Sequence, residues 1–171
     1  MNAAQRRDHI YAQLLSADTP VSATALAKQY GVSRQIIVGD IALLRASGCS
    51  ITATPRGYVI AATDGLTVQL ACVHTADQTR QELYAMVDCG CTVLDVVVEH
   101  PVYGQLTAAL QLSSRYDVDQ FVEKMSSNDA RPLSALTEGI HLHTLSCPSE
   151  AALHHLKDQL RAMGVLLEEQ S

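Results

Sequence analysis

Along the first third of the chain, apolar residues recur first at helical and then at strand spacing. Ile10, Leu14 and Leu15 form one stripe after Arg6-Arg7, which predicts an amphipathic helix ended by Asp18-Thr19-Pro20. Ser22 or Ala23 opens a second helix, Thr24 to Tyr30, and Gly31 stops it as a left-handed cap would. Ser33 then caps a third helix to about Arg45, with Ile36, Ile37, Ile41 and Leu44 expected on the core side and Gly48 closing it. Two β-prone runs follow, Ser50 to Ala53 and Tyr58 to Ala61, around Thr54-Pro55-Arg56-Gly57, which reads as a hairpin.

Thr63-Asp64-Gly65 is read as a boundary between residues 1–63 and 64–171, because the pattern then alternates strands with helices. Strands are expected at Val68 to Val73, Thr92 to Glu99, Tyr103 to Leu112 and Ile140 to Cys147, with Val165-Leu166-Leu167 as a short final one. Helices are expected at Thr75 to Met86, from an Asp117 cap to Lys124, and from a Ser149 cap to about Met163. The fold class is therefore α+β. A winged helix-turn-helix precedes an α/β sandwich of βαββαβ-like order, with a trailing helix and helices on one face of a mostly antiparallel sheet.

Charge adds a division that the pattern alone does not give. The 171 residues carry a net charge of −6, which taken alone argues against a nucleic-acid partner. Residues 1–62, however, hold six of the 12 basic residues (Arg6, Arg7, Lys28, Arg34, Arg45, Arg56) and three of the 18 acidic ones (Asp8, Asp18, Asp40). A basic module is joined to an acidic one, and only the first suits a polyanion. No apolar run nears the roughly 18 residues that cross a bilayer, and the N-terminus lacks a signal-peptide core, so a cytoplasmic protein with no membrane partner is expected. Five cysteines in such a chain are read as reduced and structural, Cys89-Gly-Cys91 included.

Two short helices joined by a Gly-containing turn are what a helix-turn-helix needs to project its second helix into the major groove of double-stranded operator DNA. Arg34 and Gln35 stand at that helix's N-terminus, where Arg suits guanine and Gln suits adenine. Ser33 and Arg56, at the cap and in the wing, are assigned to the phosphate backbone. The bland alternative is an interaction domain in which Arg34 is a solvated surface charge.

In the second module the chemistry collects in His74, Glu82, His141 and His143. His141 and His143 are two apart on one strand and share a face. If the fold brings these to His74 and Glu82, three nitrogens and one oxygen make a site for zinc or another divalent transition metal. Taken singly, each histidine is better read as a satisfied core or surface residue than as a ligand, and His154-His155 is read as surface. His100-Pro101-Val102-Tyr103-Gly104 reads either as a plain strand connection or as a pocket wall, with His100 or Tyr103 bonding a planar ligand.

These residues carry a resemblance. Val32 to Ile41, with Arg56-Gly57-Tyr58, resembles the winged helix-turn-helix of biotin-repressor type. His100 to Gly104, Ser114 to Val118, Pro132 to Thr137 and Gly139 to Thr144 resemble the three-histidine (3H) domain. The combination is similar to the niacin-responsive repressors of NAD biosynthesis and niacin uptake genes. The resemblance implies a homodimeric repressor with nicotinic acid as co-repressor, and a metal, zinc or nickel, held at His74, Glu82, His141 and His143. His100, Tyr103 and Gly104 are then expected to contact the effector. Gln105 departs from the acidic residue expected there, and Gly39 is a poor helix former inside the recognition helix. Two other readings stand beside this one: a regulator whose effector is the metal itself, and a bifunctional DNA-binding metalloenzyme with Glu82 as general base. The sequence lacks HExxH, a nucleophile elbow and a phosphate-binding glycine loop, so a non-enzyme is expected.

Overall fold

The computed structural model describes residues 1–60, 66–128 and 131–168. The chain divides into two compact units, Met1–Ala62 and Thr63–Ser171. The expected boundary motif Thr63-Asp64-Gly65, and Ala61 of the second β-prone run, lie outside the described residues.

The first unit holds helices α1 (Ala3–Ser16), α2 (Ala23–Tyr30) and α3 (Arg34–Ala46), then strands β1 (Thr52–Thr54) and β2 (Gly57–Val59). Both caps of the helix-turn-helix are chemical. The Ser22 side chain accepts from the Ala25 amide and that of Ser33 from the Ile36 amide, each satisfying a donor that the first turn leaves free. Gly31 ends α2 in the left-handed region at φ 64°. Ile10, Leu14, Leu26, Ile37, Ile41 and Leu44 form the core. Two residues depart from the expected stripe: Leu15 is 58% exposed and Ile36 44%. Three short helices close around a narrow core, so each buries a stripe one side chain wide, and these two fall just beyond it.

Asp40 on α3 is buried and is held by Arg6 of α1 through two bonds of 2.6 and 3.2 Å. The hairpin is shorter than expected, with Pro55-Arg56 as its turn. Its second strand is anchored by a two-way bridge between Tyr58 and Val21, at 2.9 and 3.0 Å. A Cβ at Gly57 would lie 2.5 Å from the Val21 carbonyl carbon, so only glycine lets the wing sit this close.

The second unit contains β3 (Leu66–Val73), α4 (Thr79–Asp88), β4 (Thr92–His100), β5 (Gly104–Leu112), α5 (Arg115–Ser127), β6 (Ile140–Cys147) and α6 (Glu150–Ala162). Its described strands form one antiparallel sheet in the order β3-β6-β4-β5. Leu70, Val93, Val96, Leu110 and Leu145 on the sheet pack with Leu83, Met86, Val118, Leu156 and Leu160 from the helices. The strand β6 alternates strictly between buried and less buried positions, as a strand with one covered face does.

Two helix starts differ from expectation. A 3-10 turn (Ala76–Gln78) takes up the first residues expected of α4, which begins at Thr79. The cap of α5 is Ser114 rather than Asp117, because the Ser114 hydroxyl accepts from the Asp117 amide while Asp117 turns back to accept from Ser113. Val165-Leu166-Leu167 pairs with the edge of β3, the Val73 amide donating to the Val165 carbonyl at 2.8 Å and the Leu167 amide to the Ala71 carbonyl at 2.9 Å. His154 and His155 are exposed, and the five cysteines are free thiols. Among the described residues no helix is long and apolar enough to cross a membrane.

Candidate metal centre and DNA-reading helix

The sheet order decides the site. Strand β6 lies between β3 and β4, so His141 and His143 project from the middle of the sheet onto the face that α4 covers. His74 follows the end of β3, and Gly139 is packed against it. A Cβ at Gly139 would run into the His74 carbonyl oxygen, and Gly139 has φ of 91°, so glycine is required where the chain enters β6. Glu82, in the first turn of α4, reaches down to the three rings.

All four residues named in the sequence converge. Nε2 of His74 and of His141 lie 2.6 and 2.9 Å from Oε2 of Glu82, and Nε2 of His143 lies 2.8 Å from Oε1. None of these side chains is more than 4% exposed. Each other ring nitrogen faces a backbone carbonyl: His74 Nδ1 meets Thr75 at 2.7 Å, His141 Nδ1 meets Gly139 at 2.8 Å and His143 Nδ1 meets Asp95 at 2.8 Å. A carbonyl only accepts, so each Nδ1 carries the hydrogen. In the neutral ring the lone pair is then on Nε2, aimed at the carboxylate.

Three lone pairs directed at an ionised carboxylate repel it, so the arrangement calls for positive charge at its centre. Protons on all three rings would bury three cations against one anion, a costly excess in a dry site. His74 Nε2 is buried as well, 2.6 Å from Glu82 Oε2. A carbonyl on each Nδ1 and a free Nε2 is the arrangement that orients a metal-ligating imidazole. Where no metal is bound, protons on the rings take its place: burial works against the charge of Glu82, but the charge of His143 and hydrogen bonds from the three histidines outweigh it and hold its carboxyl well below the usual range. Burial likewise pulls His74 and His143 down, and Glu82 more than reverses this, raising both.

One residue near this centre was not singled out in the sequence. Cys72 Sγ, a ring nitrogen of His141 and a carboxylate oxygen of Glu82 lie within 4.8 Å of one another. Burial, then the charge of Glu82, pushes its thiol well above the usual cysteine range. The signal was available: Cys72-x-His74 has the same two-residue spacing on a strand as His141-x-His143.

His100, Tyr103 and Gly104 lie where β4 turns into β5. Tyr103 is 75% exposed, and the amides of Val102 and Tyr103 donate to His100 Nδ1 at 3.1 and 3.2 Å. His100 and Gly104 border a cavity of about 990 Å³ that also includes Thr137 and His141. A smaller cavity adjoins the histidines on the helix side, between Leu83, Phe121, Leu133 and Ser134. The Thr79 hydroxyl lines it, buried and without a hydrogen-bond partner.

In the first unit, Ser33, Arg34 and Gln35 are exposed at the start of α3. Ile36 is exposed beside them, and Gly39 has open space around its Cα with no atom within 4 Å of a built Cβ. Arg56 is half-buried in the hairpin turn.

Comparison with known proteins matches residues 6–59 to the HTH domain family and residues 67–169 to the 3H domain family. The chain is 42% identical over 171 residues to the transcription repressor NadR of Bacillus subtilis, spanning 97% of this chain and 95% of that protein. It is also 42% identical over 151 residues to the probable transcription repressor NiaR of Thermotoga maritima, spanning 88% and 86%.

Proposed function

The chain belongs to the family of NadR- and NiaR-type transcription repressors, which join a helix-turn-helix domain to a 3H domain, and from this we propose that it is a metal-dependent niacin sensor acting on operator DNA. His74, Glu82, His141 and His143 hold a divalent transition metal, for which three imidazoles and a carboxylate are a suitable donor set, zinc and nickel included. The observation that carries this reading is the set of three buried Nε2 atoms facing one carboxylate, each with its Nδ1 on a backbone carbonyl.

The effector is nicotinic acid, acting as co-repressor. When bound, the metal supplies a Lewis acid for the carboxylate or the pyridine nitrogen of the effector. The roughly 990 Å³ cavity bordered by His100 and Gly104 is of ligand size, and His141 is among the residues that border it. Tyr103, exposed with its ring 5.0 Å from that of His100, is the residue for stacking or hydrogen bonding.

DNA is read by α3. Arg34 and Gln35 reach base edges, while Ser33 and Arg56 position the backbone. Homodimers present two such helices about 34 Å apart, one turn of B-DNA, and the effector favours that arrangement by binding it more tightly than the alternative.

The test is calorimetric titration of nicotinate into metal-loaded and chelator-stripped protein, with nicotinamide as control. Nicotinate bound by the loaded form alone is the expected result. Binding to neither form removes niacin as effector and leaves a regulator that responds to the metal itself.

A further inference from the structure

Cys72 is fully buried at the metal centre, and the four-residue donor set leaves it without a role. It stands directly opposite His141 across the β3–β6 ladder, and one strand period before His74. Opposed residues of an antiparallel pair share a face with Cβ atoms about 4.5–5.5 Å apart, so the thiol is delivered to the rings by strand geometry. Packing alone would account for Cys72 beside Leu70 and Leu83. It does not account for a sulfur, an imidazole nitrogen and a carboxylate oxygen all within 4.8 Å of one another. Beside them, His74 Nε2 lies 2.6 Å from Glu82 Oε2, in a side chain that is 1% exposed.

We propose that Cys72 Sγ is a further donor to the metal held with Glu82 and His141, making the centre a mixed nitrogen, oxygen and sulfur site. The inference rests on the metal reading above. A divalent ion with Glu82 as the sole anionic donor leaves one uncompensated positive charge in a buried site; a thiolate cancels it. As the metal–sulfur bond forms, the S–H bond breaks heterolytically and its proton leaves to the buffer, with no change in oxidation state. A thiolate also biases the site towards zinc, cobalt, nickel or copper and away from magnesium, calcium and manganese.

Cobalt(II) added to the metal-stripped full chain distinguishes the possibilities. Wild-type protein is expected to show visible d–d absorption from bound cobalt together with an intense near-ultraviolet thiolate-to-cobalt band. Cys72→Ser, close in size to the native residue, and Cys72→Ala lose the ultraviolet band while keeping the visible absorption. Visible absorption without the ultraviolet band in wild type overturns thiolate donation and leaves the four-residue site standing. Persistence of the ultraviolet band in the Cys72 variants assigns the sulfur to another cysteine and overturns the proposal. Absence of any cobalt absorption in wild type overturns the metal reading itself. The wild-type spectrum tests donation even where a variant fails to fold.

Discussion

His143 Nε2 and Glu82 Oε1 meet at 2.8 Å between β6 and α4, although the two residues are 61 positions apart in the chain. The other oxygen of the same carboxylate faces His141 and His74. One glutamate thus ties the sheet centre to the helix above it, and its removal affects both stability and metal binding.

Glu82→Gln keeps the shape of the side chain and removes its charge. A metal present at about one hundred times its dissociation constant stabilises the wild-type protein by about 2.7 kcal/mol. The variant is expected to lose that increment, so that thermal melts with and without metal coincide. A variant that retains the full metal-dependent shift would mean that Glu82 is not a ligand.

Thr79 offers a hydroxyl that is buried in the small cavity without a hydrogen-bond partner. Thr79→Val replaces it with a methyl of similar size. Removing an unsatisfied buried group recovers about 1–3 kcal/mol, so metal-loaded protein without effector is expected to become more stable. Nicotinate affinity is expected to stay the same, because the effector is placed in the larger cavity bordered by His100 and Gly104, which Thr79 does not line. Denaturant melts and calorimetry on the same samples check both halves, and weakened nicotinate binding would show that the smaller cavity takes part in recognition.

Arg34→Ala is expected to cost operator affinity about 1–3 kcal/mol and to relax preference at one base position, and Gln35→Ala to act similarly at another. Arg56→Ala instead weakens all sequences alike and lowers the slope of log affinity against log salt by about one. Anisotropy titrations across a salt series separate the two kinds of contact. A base preference unmoved by either α3 substitution would remove this helix from base reading.

Gly39 has nothing packed against it, so tight packing within the unit does not explain a glycine in the middle of α3. It falls one helical turn beyond Gln35, on the exposed side. Gly39→Ala is expected to stabilise the first unit by about 1 kcal/mol through helix propensity, yet to weaken operator binding, because a Cβ there meets the DNA. Equal operator affinity for both proteins would leave the glycine without a role in docking.

The first unit was largely legible in the sequence because its signals are local. Ser22, Gly31 and Ser33 announce the caps within a few residues of where they act. The limits of the buried stripe were less legible, since helical spacing marks a face but not how wide a face a small core covers, and Ile36 and Leu15 lie outside it. In the second unit the four polar candidates could be named individually, but their convergence depends on β6 lying between β3 and β4, a nonlocal fact that no spacing encodes. Cys72 was passed over because a cysteine in an apolar strand reads as core, although its spacing to His74 carried the signal. The Ser114 cap was masked by Asp117, an equally good cap residue, and the backbone at Ser113 decided between them.

The most direct test measures affinity for an operator recovered by selection from random DNA with the metal-loaded protein and nicotinate, at one fixed salt concentration, with and without nicotinate. The account predicts that saturating nicotinate tightens binding, and that chelating the metal abolishes the difference. Equal affinity with and without nicotinate would contradict it.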